Sequence, residues 1–197
     1  MDVLLASQSP RRAGLLRQLG LELTISTPDV DERHISGEAP DTYVMRLSRT
    51  KWATAQGTLP AVAADTAVVI GGEILGKPGS RHEAARMLGA LSGETHEVVS
   101  GVTVGVPGGT AETFSVSTRV TMRPISSREL DQYWNTGEPA DKAGAYGIQG
   151  LGTLFVERID GSYTNVVGLP LMETAMALSR NGVDCLALHD ARLASAP

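Results

Sequence analysis

The strongest constraint on how this chain can fold is one ten-residue run, Ala61 to Ile70, reading AVAADTAVVI. Apolar side chains fill both alternating sets of positions, so the run reads as a strand buried on both faces. Gly71-Gly72 follows at once and gives a two-residue hairpin turn into Glu73-Ile74-Leu75. A doubly covered strand that also enters a hairpin belongs to a sheet that is mixed rather than purely parallel.

The rest of the chain alternates strand and helix patterns. Val3 to Ala6 reads as a short strand. Ser9 then supplies an N-cap and Pro10 a first helical residue, Leu15, Leu16 and Leu19 keep helical spacing, and Gly20 closes the helix. A second strand is expected over Leu21–Ser26, and helices over Asp41–Gln56 and His82–Leu91. Two long strands flank Gly108-Gly109. In the second, Phe114, Val116, Val120 and Met122 alternate with polar neighbours, as in a half-buried strand. A short helix over Ser126–Trp134, a structured glycine-rich loop over Gly137–Gly152, a strand over Leu154–Ile159 and a final helix over Leu169–Leu178 complete the reading. The pattern implies an α/β fold, a mixed sheet with flanking helices, in one domain of residues 1–188. Residues 189–197 read as a disordered tail.

Composition narrows the function classes. Only 4% of residues are aromatic, so Ala, Val, Leu and Ile must build the core. The formal net charge of −5 argues against general nucleic-acid binding, though a few local cations can hold a small polyanion. Cys185 is the single cysteine, which excludes an internal disulfide and a cysteine zinc cage. No window reads as a signal peptide or a membrane span, and the expectation is a cytoplasmic protein.

Three groups of residues point to chemistry. Ser7-Gln8-Ser9-Pro10-Arg11-Arg12 is a strand-to-helix turn with two hydroxyls and two guanidiniums. Taken alone it reads more readily as a capped helix with surface arginines. Yet cations in a first helical turn oppose the helix dipole, and a bound phosphate would remove that penalty. Asp65 interrupts the apolar run, where a carboxylate is expensive to bury unless it meets a metal, a cation or a reacting group; Asp29, Asp31 and Glu32 form a second acidic site. Lys77 is fixed between Gly76 and Pro78, and Lys51 lies on the apolar side of its helix. Each lysine can simply reach water, but carboxylates for a hard cation together with Lys and Arg for phosphates suit phosphoryl chemistry. No P-loop, GxSxG elbow, zinc spacing of His34, His82, His96 and His189, or GxGxxG motif occurs.

At these residues the sequence resembles the Maf family of nucleoside triphosphate pyrophosphatases, from about Val3 to about Leu178. The blocks that carry the resemblance are Ala6–Arg12, Asp31-Glu32, Arg46-Leu47 with Lys51, Ala64-Asp65-Thr66, Leu75–Pro78, Leu91–Gly93 and His96–Val98. They continue with Asp141–Gly150, Gly161–Tyr163 and Val167–Pro170. The resemblance implies an elongated mixed-sheet structure with two lobes around a central cleft, often dimeric, and a divalent metal, Mg²⁺ or Mn²⁺. It implies Asp65 as the proton acceptor or metal-linked base and Glu32 as its partner on the metal. Ser7, Arg11, Arg12, Lys51 and Lys77 would hold the phosphates, while Arg11, Thr66 and Gln149 match positions associated with choosing the base. The block ending Tyr146–Gly150 is similar to the subgroup acting on dTTP and UTP rather than the sister subgroup acting on 7-methyl-GTP.

The chain departs from the family pattern at Ser48, Trp52 and Ser100, where Ala, a small residue and Thr are usual. Two readings of other classes stand beside hydrolysis. One is a nucleotidyltransferase, which needs an acceptor; the other is a nucleotide-binding regulator of division, which leaves the triphosphate intact.

Overall fold

The computed structural model describes residues 2–188; the expected tail from His189 lies outside them. Three strands are parallel neighbours: β1 (Asp2–Ala6), β2 (Glu22–Ser26) and β3 (Ala61–Ile70). The helix α1 (Pro10–Gln18) connects β1 to β2, and α2 (Pro40–Ala53) precedes β3. β4 (Glu73–Leu75) folds back on β3 through Gly71-Gly72, both at positive φ, the turn that glycine accepts without strain. There follow α3 (Arg81–Leu91), β5 (Thr95–Gly105), β6 (Ala111–Met122), α4 (Ser127–Asn135), β7 (Val156–Asp160), α5 (Tyr163–Val167) and α6 (Leu171–Arg180). The sheet order is β2-β1-β3-β5-β6-β7, with β4 paired to β3. Since β3–β4 and β6–β7 are antiparallel, the sheet is mixed, as expected.

Register explains where chemistry gathers. Ala6 pairs with Ser26 of β2 and with Ala63 of β3. Three parallel strands therefore deliver their continuations to one edge: the Ser7 turn after β1, the acidic segment after β2, and Asp65 two residues beyond the last β1 pairing. The carboxyl edge of parallel strands is where α/β proteins collect ligand-binding groups.

Contacts divide the chain into two compact units. The first comprises residues 2–65, 100–115 and 168–188 of the described chain. Leu4, Ala6, Ala55, Ala61 and Ala63 pack together in it, with Trp52 and Leu59 against them. Its helix α2 lies directly on β5, because a Cβ at Gly101 would overlap the Val44 carbonyl. The second comprises Thr66–Val99 and Val116–Val167. Its core joins Val68 and Leu75 to Met87, Leu88 and Leu91 of α3, and to Tyr133, Tyr146 and Phe155. Among the described residues no helix is long and apolar enough to cross a membrane.

Most expected elements form, with shifted ends. The final helix begins at Leu171 rather than Leu169, with Pro170 as its N-cap. The strand expected from Leu154 begins at Val156, because Leu151–Phe155 winds as a 3-10 turn. Two more 3-10 turns, Glu138–Asp141 and Ala143–Ala145, shape the glycine-rich loop. The five-residue α5 has no counterpart in the sequence reading; it follows Gly161, and Ser162 Oγ accepts from the Asn165 N–H.

In the second unit His96 is buried against Tyr146, its Nε2 2.8 Å from the tyrosine hydroxyl, while its buried Nδ1 has no hydrogen-bond partner among the described residues. Burial disfavours the imidazolium and lowers the pKa from 6.5 to about 4. The unfolded chain therefore takes up a proton that the folded chain resists. The stability contributed by neutral His96 is complete above about pH 6.5 and falls away between there and pH 4, by about 3 kcal/mol in all. His96→Gln keeps a partner for the tyrosine hydroxyl but cannot titrate. Urea unfolding at pH 7 and pH 4.5 should show a smaller loss in His96→Gln than in the wild type; equal losses would assign the acid sensitivity elsewhere.

Candidate active site

The first unit concentrates charge at the strand edge described above. Ser9 caps α1 by accepting from the Arg12 N–H, and Pro10 occupies the first turn, as the sequence indicated. Ser7 Oγ accepts from the Ser9 N–H at 3.2 Å and from Arg12 Nη1 at 3.1 Å. Arg12 Nε donates to the Gly168 carbonyl at 2.8 Å. Arg12 is thus a buried, anchored cation rather than a surface arginine. Burial lowers its pKa, Asp65 and Glu32 pull it upward, and Arg11 adds to the lowering. Arg11, one residue earlier, is half-buried.

The decisive arrangement involves Lys51. Its ammonium lies 2.7 Å from Asp65 Oδ1 and 2.6 Å from Glu32 Oε1. Lys51 and Asp65 are both buried, whereas the Glu32 side chain is 53% exposed. A buried carboxylate in an apolar strand needs a compensating charge, and α2 supplies it. The unexpected partnership is that Lys51 joins the two carboxylates assigned to the metal instead of standing apart to await phosphate.

The acidic segment is strapped onto α2 by residues that carried no assigned role. Tyr43 Oη donates to the Glu32 carbonyl at 3.0 Å. Arg46 donates to both carboxylate oxygens of Glu38, each at 2.7 Å, and to the Arg33 carbonyl. Burial, then Asp65 and Glu32, push the Tyr43 phenol up to about 12, so it remains a donor at neutral pH. Asp31, by contrast, pairs with Arg33, which hydrogen-bonds its carboxylate and lowers the pKa to about 2. Tyr43 lies on the α2 face shared with Lys51, eight residues before it, a spacing the sequence shows; the targets of Tyr43 and Arg46 are not legible there.

The donor set suits a hard divalent cation. Glu32 and Asp65 converge on one ammonium from under 3 Å, so a single cation can meet both, and carboxylate oxygens are what Mg²⁺ or Mn²⁺ prefers. Among the described residues no group of three or more His, Cys, Asp and Glu gathers to hold a metal. Further ligands would have to be water or substrate oxygens, the usual situation for a metal that accompanies phosphates.

The remaining candidates belong to the second unit. Thr66 is half-buried in β3, directly after Asp65, and Lys77 is exposed after β4. Gln149 is exposed in the glycine-rich loop. The Gly144 N–H donates to the Gly76 carbonyl at 3.0 Å, tying that loop to the segment that carries Lys77.

Comparison with known proteins identifies the family. The Maf family model, described as Maf-like protein, matches residues 2–181. The chain belongs to the Maf family. A Maf relative from Anaeromyxobacter dehalogenans, named dTTP/UTP pyrophosphatase, is 52% identical over 183 residues, covering 91% of this chain and 94% of that protein. One from Myxococcus xanthus with the same name is 50% identical over 184 residues, covering 92% and 93%. Among solved structures, a HAM1 protein from Coxiella burnetii matches with a TM-score of 0.50 at 16% identity, over 91% of this chain and 99% of that one. That likeness concerns the fold.

Two departures from the Maf pattern acquire a physical reading. Ser48 Oγ donates to the Met45 carbonyl and pairs with Thr103 Oγ1 at 2.9 Å, which continues to Thr113 Oγ1 at 3.0 Å. Trp52 Nε1 donates to the Gly105 carbonyl at 3.2 Å. Both fasten α2 to β5, on either side of Lys51 in the sequence. Ser100 is fully buried in β5, and nothing in the structure explains its replacing Thr.

Because the Lys51–Asp65 pair is buried, Lys51→Met should destabilise the fold by about 3–5 kcal/mol, the usual consequence of stripping a buried charge of its partner. Asp65→Asn added to Lys51→Met should recover part of that loss, since an amide needs no counter-charge. The exposed Lys77→Ala should stay within about 0.5 kcal/mol of the wild type. Denaturant unfolding measures all three; a Lys51→Met protein as stable as the wild type would contradict the buried pair.

Proposed function

We propose that this chain hydrolyses dTTP and UTP to the monophosphate and pyrophosphate, as a nucleoside triphosphate diphosphatase. The observation that carries the reading is the convergence of Glu32, Lys51 and Asp65 beside the Ser7–Arg12 turn. It stands in a chain half identical, over nine-tenths of its length, to proteins named dTTP/UTP pyrophosphatase.

In this reading the triphosphate chain is held by Ser7, Arg11, Arg12, Lys51 and Lys77. Arginine offers forked donors, and α1 adds the positive end of its dipole. A divalent cation, Mg²⁺ or Mn²⁺, would be held by Glu32 and Asp65. When bound, it would neutralise phosphate charge and lower the pKa of water. Asp65 is the proton acceptor. An attacking water forms a bond to the α-phosphorus and gives its proton to the Asp65 carboxylate. The bond from that phosphorus to the bridging oxygen breaks, and pyrophosphate leaves with the electron pair. Lys51, beside Asp65, offsets charge on the phosphates during the reaction. Gln149 carries a donor and an acceptor that can match the edge of thymine or uracil, with Arg11 and Thr66 framing the choice. The single cysteine and net negative charge suit a cytoplasmic enzyme of small nucleotides; a homodimer is part of the same proposal.

Phosphorus NMR of dTTP or UTP incubated with the protein and Mg²⁺ should show monophosphate and pyrophosphate with no acceptor present, and EDTA should stop the reaction. Orthophosphate with a diphosphate product would place attack at the γ-phosphorus. Turnover that required a second substrate would instead make the protein a transferase.

A further inference from the structure

The segment that presents Gln149 lies between α4 and β7 in the second unit and has little regular backbone pairing of its own. One side chain stands in for that pairing. Glu138 Oε1 accepts from the Tyr133 hydroxyl at 2.8 Å and from the Gly152 N–H at 3.1 Å, and Oε2 accepts from the Leu151 N–H at 2.8 Å. The same Tyr133 hydroxyl accepts from the Gly147 N–H at 3.2 Å. Backbone on both sides of Gln149 is thus suspended from one carboxylate: Gly147 through Tyr133, Leu151 and Gly152 directly. The fit is close, because a Cβ at Gly150 would overlap the Glu138 carboxylate. Lys142 braces the beginning of the segment, its ammonium donating to the Glu138 carbonyl at 2.7 Å. Burial opposes ionisation of Glu138, but the N–H and hydroxyl donors outweigh it and hold the pKa below the ordinary glutamate value.

We propose that Glu138 is a positioning residue for base recognition, fixing the backbone from Gly147 to Gly152 so that Gln149 is held in the orientation that reads the pyrimidine. The inference rests on the reading of Gln149 given above. A carboxylate suits this task because all three groups facing it are donors and it offers only acceptors. An amide of the same shape turns its NH₂ against a backbone N–H whichever way it is oriented. Glu138→Gln therefore disturbs the suspension while adding almost no change in volume.

The test measures kcat/KM for dTTP, UTP, CTP, GTP and ATP in wild type, Glu138→Gln, Gln149→Ala and the double variant. Glu138→Gln should reduce the preference for dTTP and UTP over the other three about tenfold, the scale of one lost hydrogen bond to a charged group. The double variant should be no less selective than Gln149→Ala alone, since Glu138 acts through Gln149. Tyr133→Phe, a milder change that removes one link, should shift selectivity in the same direction and keeps the test open if Glu138→Gln folds poorly. An equal fall for all five nucleotides, or a lowered Tm with unchanged selectivity, would reduce Glu138 to a structural residue. Additive losses in the double variant would separate it from Gln149. If Gln149→Ala itself leaves the preferences unchanged, the base-reading assignment fails, and this inference with it; if only Glu138→Gln leaves them unchanged, the assignment stands and the inference alone falls.

Discussion

A lysine ammonium held between two carboxylates is the interaction on which the candidate site depends. Asp65 sits in a strand whose neighbours are Ala and Val, a setting in which a carboxylate is expensive to bury alone. Lys51 supplies the partner from 2.7 Å away and brings Glu32 into the same cluster. The arrangement depends on register: Ala6 aligns with both Ser26 and Ala63, so three parallel strands end their pairing together and their continuations share an edge. A helix that carries Lys51 at the right height then completes the set.

That helix has to be held firmly, because Lys51 has a long, flexible side chain and its position is inherited from α2. Several independent devices fix α2 within the first unit. Gly101 lets the helix backbone approach β5 closely, and Ser48 joins a chain of hydroxyls to Thr103 and Thr113. Trp52 hydrogen-bonds the Gly105 carbonyl. On its other side α2 holds the acidic segment through Tyr43 and Arg46, which keeps Glu32 near the ammonium although the Glu32 side chain is largely exposed. Ser48 and Trp52 are departures from the family pattern, and both act in anchoring this helix.

Much of the fold was legible in the sequence because its signals are local. The Ala61–Ile70 run, the Gly71-Gly72 turn and the Ser9-Pro10 helix start each state their structure within a few residues. Asp65 announced itself as an anomaly in an apolar strand, and Lys51 as a lysine on an apolar helix face. That they answer each other was not legible, since they are 14 residues apart and only the packing of α2 against the sheet brings them together. The same holds for Tyr43 with Glu32, for Arg12 with the Gly168 carbonyl, and for the suspension of the glycine-rich loop from Glu138. Three of that region's features are short 3-10 turns, whose geometry follows from side-chain anchors rather than from hydrophobic period.

We propose that Asp65, paired with Lys51, accepts a proton from the attacking water. The direct measurement is kcat for dTTP in Asp65→Asn at saturating Mg²⁺, with the fold monitored in parallel. The substitution is nearly isosteric and leaves Lys51 its second partner, Glu32, so the protein should remain folded while kcat falls by roughly 10²–10⁴-fold, the contribution of a positioned general base. A folded Asp65→Asn protein that keeps most of the wild-type kcat would show that Asp65 is only the counter-charge of a structural ion pair.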